Sequence, residues 1–497
     1  MRVTSGSRLV QLAAATVAAL SLLGCTETVY KDFPGFTPPP AAAGSYMGYT
    51  STTGQLPVCG NCHASHQALW ATAKHSRAWA DLQGSGHAGP TCDACHSVNS
   101  LGNDSLATPA NGYIGDPTAR YQDVQCEACH GPGENHVNNP EVTANRPVPS
   151  IYVKVGVNTS CSGCHTGTHN PFVEEWAQSA HGIVPDFAAG AGRTDCQPCH
   201  TGQVALKATM GVTNTVYKEM NNPLTTQGPN GALTIVCAVC HDPHGSPNKG
   251  QTRFPVDTND VATNLCARCH NRRAAPDQNS NRGPHAPEGP LLIGHNDVGW
   301  RPPNMTVDPI YGSHGDTTVN KALCATCHMF KSTSTDSSGI TFYSTGHLFL
   351  AIPCMDVNGK PTTGSCANTQ RNFTTCAAAG CHGSGTVAMN LMETETLTLT
   401  NLLVQLGTLL NDTSKVHCSE YNSAAGSPWT TARGARFNYL LVSQATVAGT
   451  GPLCQVGTAK NLALPAPLAK EGPGVHNAPL SEQLLLNSIS AVRAAYP

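Results

Sequence analysis

Large side chains are scarce in this sequence. Aromatic residues make up 5% of the 497 residues and charged residues 12%, against 48 Gly and 36 Pro. So few large apolar side chains cannot fill the cores of ordinary domains in a chain of this length. The composition predicts a mainly α-helical chain with extensive loops, little regular secondary structure and a core supplied by something other than side chains.

Charge and long apolar runs are also scarce. The formal charge is −3, and it becomes −5 when Arg2 and Arg8 are removed with the N-terminal signal peptide. This negative charge excludes a nucleic-acid partner. The apolar run from Leu9 to Leu23 is too short to span a membrane and reads as a signal peptide, residues 1–24. It ends in Leu-Leu-Gly-Cys25, which resembles a bacterial lipobox and predicts lipidation of Cys25. Thr26, in place of an aspartate, favours the outer membrane, on its periplasmic or cell-surface face. An ordinary signal with a chance cysteine is the alternative.

Cysteine is abundant and strictly patterned. Cys-x-x-Cys-His occurs eight times, here sites 1 to 8, and a stretched Cys-x4-Cys-His forms site 9. The cysteine pairs, in order, are Cys59 and Cys62, Cys92 and Cys95, Cys126 and Cys129, Cys161 and Cys164, Cys196 and Cys199, Cys237 and Cys240, Cys266 and Cys269, Cys324 and Cys327, and Cys376 and Cys381. The histidines that follow them are His63, His96, His130, His165, His200, His241, His270, His328 and His382.

This spacing is typical of haem c attachment. The two thiols add to the vinyl groups of a haem, and the adjoining imidazole binds the iron as the proximal ligand. Paired zinc-binding cysteines, the alternative, show no preference for His after the second cysteine. We therefore expect nine haems, eight at regular sites. At site 9 the first thioether cysteine is Cys376 or, alternatively, Cys366.

Four cysteines remain after 18 are assigned to haems and Cys25 to lipid. They are Cys354, Cys366, Cys418 and Cys454, and in an exported protein they predict two disulfides with three possible pairings.

Histidine is in excess. Thirteen of the 22 histidines are not proximal ligands, which suffices to give every iron a second axial histidine. The predicted distal ligands are His66, His75, His136, His169, His181, His244, His285, His347 and His476, which leaves four histidines, His87, His295, His314 and His417, as surplus.

A repeat organises the chain. Sites 1 to 3 are echoed by sites 4 to 6 at offsets of 102, 104 and 111 residues, and Trp70 and His75 match Trp176 and His181. We expect a lipid anchor and flexible tether (25–54), two three-haem modules (55–156 and 157–262), the last three sites (263–385) and a C-terminal region (386–497). Leucines from Leu399 to Leu410, and Leu485, Ile489 and Val492, recur at helical spacing there.

Four features of the sequence point to a known family, namely the Cys-x-x-Cys-His motifs, the Trp-x4-His segments, Cys237-Ala-Val-Cys-His241-Asp-Pro-His244-Gly and Gly474-Val-His-Asn477. They resemble the multihaem c-type cytochromes of metal-respiring bacteria. The resemblance covers roughly residues 55 to 497. It implies stacked haems that carry electrons at or beyond the outer membrane to metal oxides or other cytochromes, with an outer-membrane porin as a further partner. An electron carrier is therefore expected rather than an enzyme. The alternative is a multihaem reductase of nitrite, hydroxylamine or a sulfur oxyanion, in which one haem lacks its sixth ligand.

Overall fold

The computed structural model describes residues 45–103, 111–167, 170–183, 193–280, 282–294, 297–303, 305, 312–335, 339, 341–378, 380–421, 426–443 and 471–497. The signal peptide, Cys25, His169, His295 and Cys454 lie outside these ranges.

Short helices and loops make up most of the described chain before residue 385, and each helix has two turns or fewer. They are α1 (Ala64–Trp70), α2 (Ala78–Gly84), α3 (Pro90–Asp93), α4 (Cys126–His130), α5 (Glu134–Asn138), α6 (Phe172–Gln178), α7 (Gln197–His200), α8 (Gly202–Val204), α9 (Cys237–Cys240), α10 (Glu288–Ile293) and α11 (Cys324–His328). The prediction of a mainly helical, loop-rich chain is confirmed.

The strands of the described ranges form three small antiparallel ribbons. They pair β1 (Tyr49–Ser51) with β2 (Leu56–Pro57), β3 (Ser332–Thr335) with β4 (Thr341–Ser344), and β5 (Cys354–Met355) with β6 (Pro361–Thr362). None of the described helices combines the length and apolarity that a bilayer crossing demands.

The expected tether is shorter than predicted, because its last residues pack into the body. Tyr46 and Met47 are fully buried. The buried Glu127 carboxylate accepts hydrogen bonds from the backbone N–H groups of Met47 and Gly48, at 2.9 and 2.8 Å. This carboxylate, 80 residues away in the sequence, holds the segment in place.

The predicted leucine-rich helices are confirmed. Helices α12 (Gly385–Leu410), α13 (Thr431–Ser443) and α14 (Glu471–Ala495) pack together. Leu399, Leu403 and Leu406 of α12 are fully buried and share one core with Leu485 and Ile489 of α14. A second apolar cluster, which includes Val173, Trp176, Leu206 and Val239, lies in the part of the chain before these helices.

Helix α14 is interrupted at Asn477, whose backbone is not helical. The Asn477 side chain accepts a hydrogen bond from the Leu480 N–H at 3.2 Å and donates to the Leu291 carbonyl at 3.1 Å. It therefore caps the longer part of the helix, with Pro479 in the first turn. The break fixes the position of His476, immediately before it.

Equivalent hydrogen bonds recur in the two repeated segments. The Trp70 indole donates to the Val124 carbonyl at 2.9 Å, and the Trp176 indole donates to Ile235 at 2.8 Å. Val124 and Ile235 each stand two residues before the third motif of their segment. Their N–H groups in turn donate to the carbonyls of His75 and His181, at 3.1 and 3.2 Å. The two Trp-x4-His segments are thus held in the same way.

Candidate functional site

Each regular motif folds as a single helical turn. In sites 1, 4, 5, 6 and 7 the histidine N–H donates to the carbonyl of the first cysteine at 2.8–3.1 Å. Sites 3 and 8 coincide with helices α4 and α11. Residues three and four positions apart lie on one face of a helix. The two thiols and the imidazole therefore address the same side of the turn.

The stretched motif of site 9 reproduces this turn. The His382 N–H donates to the Cys376 carbonyl at 3.1 Å, although two more residues separate them than in a regular motif. Gly380, with a φ of 87°, adopts the left-handed conformation that lets the longer segment turn back. Cys366, the alternative first cysteine, forms a disulfide with Cys354. Cys376 is therefore the first cysteine left for site 9.

Cys418 is also disulfide-bonded.

Backbone carbonyls orient several proximal histidines. The Nδ1 atoms of His96, His130, His241 and His328 lie 2.7–2.9 Å from the carbonyl oxygens of Ala78, Pro147, Gly250 and Phe349, respectively. A carbonyl oxygen only accepts hydrogen bonds, so Nδ1 must carry the proton. The other ring nitrogen, Nε2, is left with its lone pair available for a metal.

A second histidine faces the proximal histidine at eight of the nine sites. The ring centroids are 5.8–6.4 Å apart. The pairs are His63–His136, His75–His165, His130–His244, His181–His270, His200–His285, His241–His347, His314–His382 and His328–His476.

This separation fits a haem iron held between two imidazoles. Two metal–nitrogen bonds of about 2 Å each, with the distance from each nitrogen to its ring centre, put the centroids about 6 Å apart. Burial lowers the pKa of His165, His181, His347 and His476 to about 4. These rings are therefore neutral at physiological pH, which is the form that binds a metal.

Seven of the nine predicted distal histidines face a proximal ring in this way, and of the described ones only His66 does not. His169 lies outside the described residues. His66 lies 6.2 Å from His63 and 4.7 Å, edge-on, from His244. Because His66 follows His63 by three residues, at the start of α1, both rings lie on one face and cannot approach opposite sides of a single iron. The expectation that His66 is a distal ligand therefore finds no support in the geometry.

His314, which the sequence left as surplus, faces His382 at 5.8 Å. Its Nδ1 contacts the Val475 carbonyl, so the C-terminal segment orients it. The other surplus histidines of the described chain, His87 and His417, are exposed. At site 2, no described histidine ring faces His96 at a comparable distance.

The facing pairs cross the module boundaries. His75 of the first module faces His165 of the second, and His244 of the second faces His130 of the first. Likewise His181 faces His270, and His347 reaches back to His241. The modules therefore interlock through their histidines.

Buried carboxylates position the loops that carry these histidines, and sequence reasoning missed them. Glu175 of α6 accepts hydrogen bonds from the Thr345 N–H and hydroxyl, at 2.9 and 2.7 Å, and from the His347 N–H at 2.9 Å. Glu127 likewise accepts from the Gly133 N–H at 2.7 Å, three residues before His136. Burial raises the pKa of Glu127 to about 6. A glutamate inside an apolar helical face is the only sequence signal for such a role.

Two parts of the chain match known families. Residues 231–275 match the family model for a doubled CXXCH motif, and residues 58–131 match that for cytochrome c554 and c-prime. The multiheme cytochrome MtrA of Shewanella baltica (strain OS185) is 28% identical over 171 residues, which cover 31% of this chain. The match spans 46% of that relative, less than half its length. No solved structure matches the chain.

The attachment turns and the paired imidazoles define a protein that binds haem c covalently at many sites. With the family matches, they identify the chain as a multihaem c-type cytochrome. Haem iron, when bound, supplies one-electron redox chemistry.

Proposed function

We propose that this cytochrome is an outer-membrane lipoprotein that passes electrons along eight or nine bis-histidine haems, to metal oxides or to other cytochromes. The facing histidine pairs carry the proposal. With both axial positions taken by imidazoles, an iron has no coordination position for a substrate. Eight of nine sites have such a pair, which favours conduction over catalysis.

The chain's own residues hold and tune the sites. The cysteines fix the position of each haem, and hydrogen bonds to Nδ1 hold the axial rings in one orientation. Burial of the rings lowers the local dielectric around the iron, one of the features that set its reduction potential. Because no ligand changes during electron transfer, a rigid and interlocked set of axial histidines suits this task.

The cellular location and the partners rest on the sequence and on the relative. The lipobox-like Leu-Leu-Gly-Cys25 supports a lipid anchor, and Thr26 supports the outer membrane. The relative is itself named a multiheme cytochrome, which supports docking with other cytochromes. An outer-membrane porin and extracellular metal oxides are further partners in this proposal.

A reductase is the second candidate, and one observation favours it. Site 2 is the single site at which no described histidine faces the proximal ring, so its iron is the candidate for an open position. A multihaem reductase of nitrite, hydroxylamine or a sulfur oxyanion needs such an iron. In that case site 2, rather than the stretched site 9, is where substrate binds.

An electron paramagnetic resonance spectrum of the oxidised holoprotein separates these two functions. We expect low-spin signals from at least eight haems, because two imidazoles give a strong axial field. Carbon monoxide should bind to one haem per chain at most. A haemochrome assay on the same sample gives the number of haems per polypeptide. High-spin signals from several haems, or rapid nitrite turnover by the reduced protein, would contradict the carrier function.

Replacing Cys25 by serine (Cys25→Ser) is expected to move the protein from the outer-membrane fraction to a soluble fraction, because the lipid is its membrane anchor. Incorporation of labelled palmitate should be lost at the same time. Thr28→Ser, which leaves Cys25 and the preceding Leu-Leu-Gly unchanged, is the matched control and should leave the labelling intact. An unlabelled parent protein would rule out the lipid anchor.

A further inference from the structure

Cysteines of different motifs lie side by side. Five pairs of thiols are close enough to interact electrostatically. They are Cys59 with Cys126, Cys95 with Cys164, Cys161 with Cys237, Cys199 with Cys269, and Cys266 with Cys324. Six more pairs also interact electrostatically, namely Cys129 with Cys161 and with Cys164, Cys240 with Cys266 and with Cys269, and Cys327 with Cys376 and with Cys381.

These contacts give the sites an order that differs from their order in the chain. Site 1 adjoins site 3, then sites 4, 6, 7, 8 and 9 follow in one unbroken line, here the trunk. Cys95 of site 2 interacts with Cys164 of site 4, and Cys199 of site 5 interacts with Cys269 of site 7. Sites 2 and 5 therefore stand beside the trunk, and they are called here the branch sites.

Aromatic rings support the order of the trunk independently of the thiols. Phe172 lies 5.5 Å from His165 of site 4 and 5.0 Å from His347 of site 6. Phe349 lies 4.4 Å from His181 of site 7 and 5.7 Å from His347. Two phenylalanines thus connect sites 4, 6 and 7 in that order.

Further contacts support one end of the trunk and one branch. His66 lies within 6.2 Å of His63 of site 1 and within 4.7 Å of His244 of site 3. At site 5, His285 stands three residues before Glu288, whose carboxylate lies 3.4 Å from Nδ1 of His270 in site 7. The segment that serves the branch site therefore also touches its trunk neighbour.

The sequence repeat explains the pattern. In each module the first site adjoins the third, as sites 1 and 3 and sites 4 and 6 show. The second site of each module adjoins the first site of the next, as sites 2 and 4 and sites 5 and 7 show. One local arrangement, used twice, therefore generates both branches.

The ends of the trunk reach the surface. Cys62 of site 1 and Cys381 of site 9 are exposed, whereas every other described motif cysteine is at least partly buried. A donor at one end and an acceptor at the other can therefore approach the terminal sites.

We propose that electrons cross the protein along the trunk from one end to the other, and that the two branch sites lie off this path. The proposal rests on the electron-carrier function above. Each step oxidises one site by one electron and reduces its neighbour by one electron, with no bond made and no proton moved. A one-electron donor and a one-electron acceptor at the two ends complete the balance.

Iron positions test the geometry directly. Anomalous diffraction at the iron edge, from crystals of the haem-loaded protein, should place the site 2 iron nearest to that of site 4 and the site 5 iron nearest to that of site 7. An iron chain in sequence order, with site 2 between sites 1 and 3, would overturn the proposal. It would leave the carrier function untouched, because that function depends on ligation and is tested by paramagnetic resonance.

Removal of single haems tests the path. The parent protein for this experiment carries two substitutions, Thr386→Cys and His136→Met. A photoreductant attached to the new cysteine, beside site 9, injects an electron. The methionine raises the reduction potential of site 1 and gives it a distinct spectrum, so site 1 acts as the electron acceptor. In this parent, Cys237→Ala with Cys240→Ala removes trunk site 6, and Cys196→Ala with Cys199→Ala removes branch site 5. Transfer to site 1 should slow roughly tenfold more in the trunk variant, because one hop must then span a missing relay.

The two variants should each lose one haem in a haemochrome assay and keep the helical circular dichroism of the parent. If the site 6 variant does not fold, Cys324→Ala with Cys327→Ala makes the same lesion at trunk site 8. Equal slowing by the trunk and branch lesions would overturn the proposal.

Discussion

Glu175→Ala is expected to convert one haem of the oxidised protein from low-spin to high-spin, although Glu175 contacts no cysteine of a motif. The carboxylate holds the Thr345-Gly346-His347 loop through three donors, namely the N–H and hydroxyl of Thr345 and the N–H of His347. Glu175 is buried, with 4% of its surface exposed, so these donors would lose their only strong acceptor. Unsatisfied buried donors cost about 1–3 kcal/mol each, so the loss of the acceptor for three donors should destabilise the loop by roughly 3–9 kcal/mol.

The freed loop can no longer hold His347 opposite His241, and site 6 should open to carbon monoxide, one molecule per chain. Glu175→Gln keeps the shape and one acceptor oxygen, so we expect partial opening. Glu141→Ala removes an exposed carboxylate and serves as the matched control. A fully low-spin spectrum for Glu175→Ala would show that His347 is held in place without this carboxylate.

His75→Ala is expected to open site 4, whose proximal histidine stands 90 positions later in the chain. The two rings face each other at 6.2 Å, and His75 is held by its carbonyl, which accepts from the Val124 N–H. Removal of the imidazole should leave a five-coordinate iron, detected as one high-spin haem and one bound carbon monoxide per chain more than in the parent. Exposed His87, mutated in the same way, should leave the described pairs unchanged.

The opened site can be identified by combination with haem removal. Cys161→Ala with Cys164→Ala removes the haem of site 4, and in that background His75→Ala should add no further binding of carbon monoxide. In a chain lacking site 2, through Cys92→Ala with Cys95→Ala, the effect of His75→Ala should persist. His75 would be a ligand of site 2, the motif that follows it in sequence, if His75→Ala added carbon monoxide binding in the chain without site 4 and none in the chain without site 2.

The residues that attach each haem are close neighbours in the sequence. Haem attachment needs two thiols and an imidazole within one helical turn, so five or seven consecutive residues suffice to reveal a site. The leucine spacing of α12 and the paired Trp-x4-His segments are equally local. Sequence therefore determined the class of protein and the attachment residues.

Only the tertiary structure decided which distal histidine faces which proximal histidine, because the two are far apart in the sequence. An iron has its second axial ligand on the face of the haem opposite the motif, and a motif cannot fold around its own haem to supply it. The ligand must come from another segment, as His75 does for site 4 and His476 for site 8. His66 shows the failure of the local reading, because a histidine three residues after the proximal one lies on the wrong face. The number of histidines was sufficient in the sequence, but only packing assigned them, recruited His314 and brought Glu175 to the loop of His347.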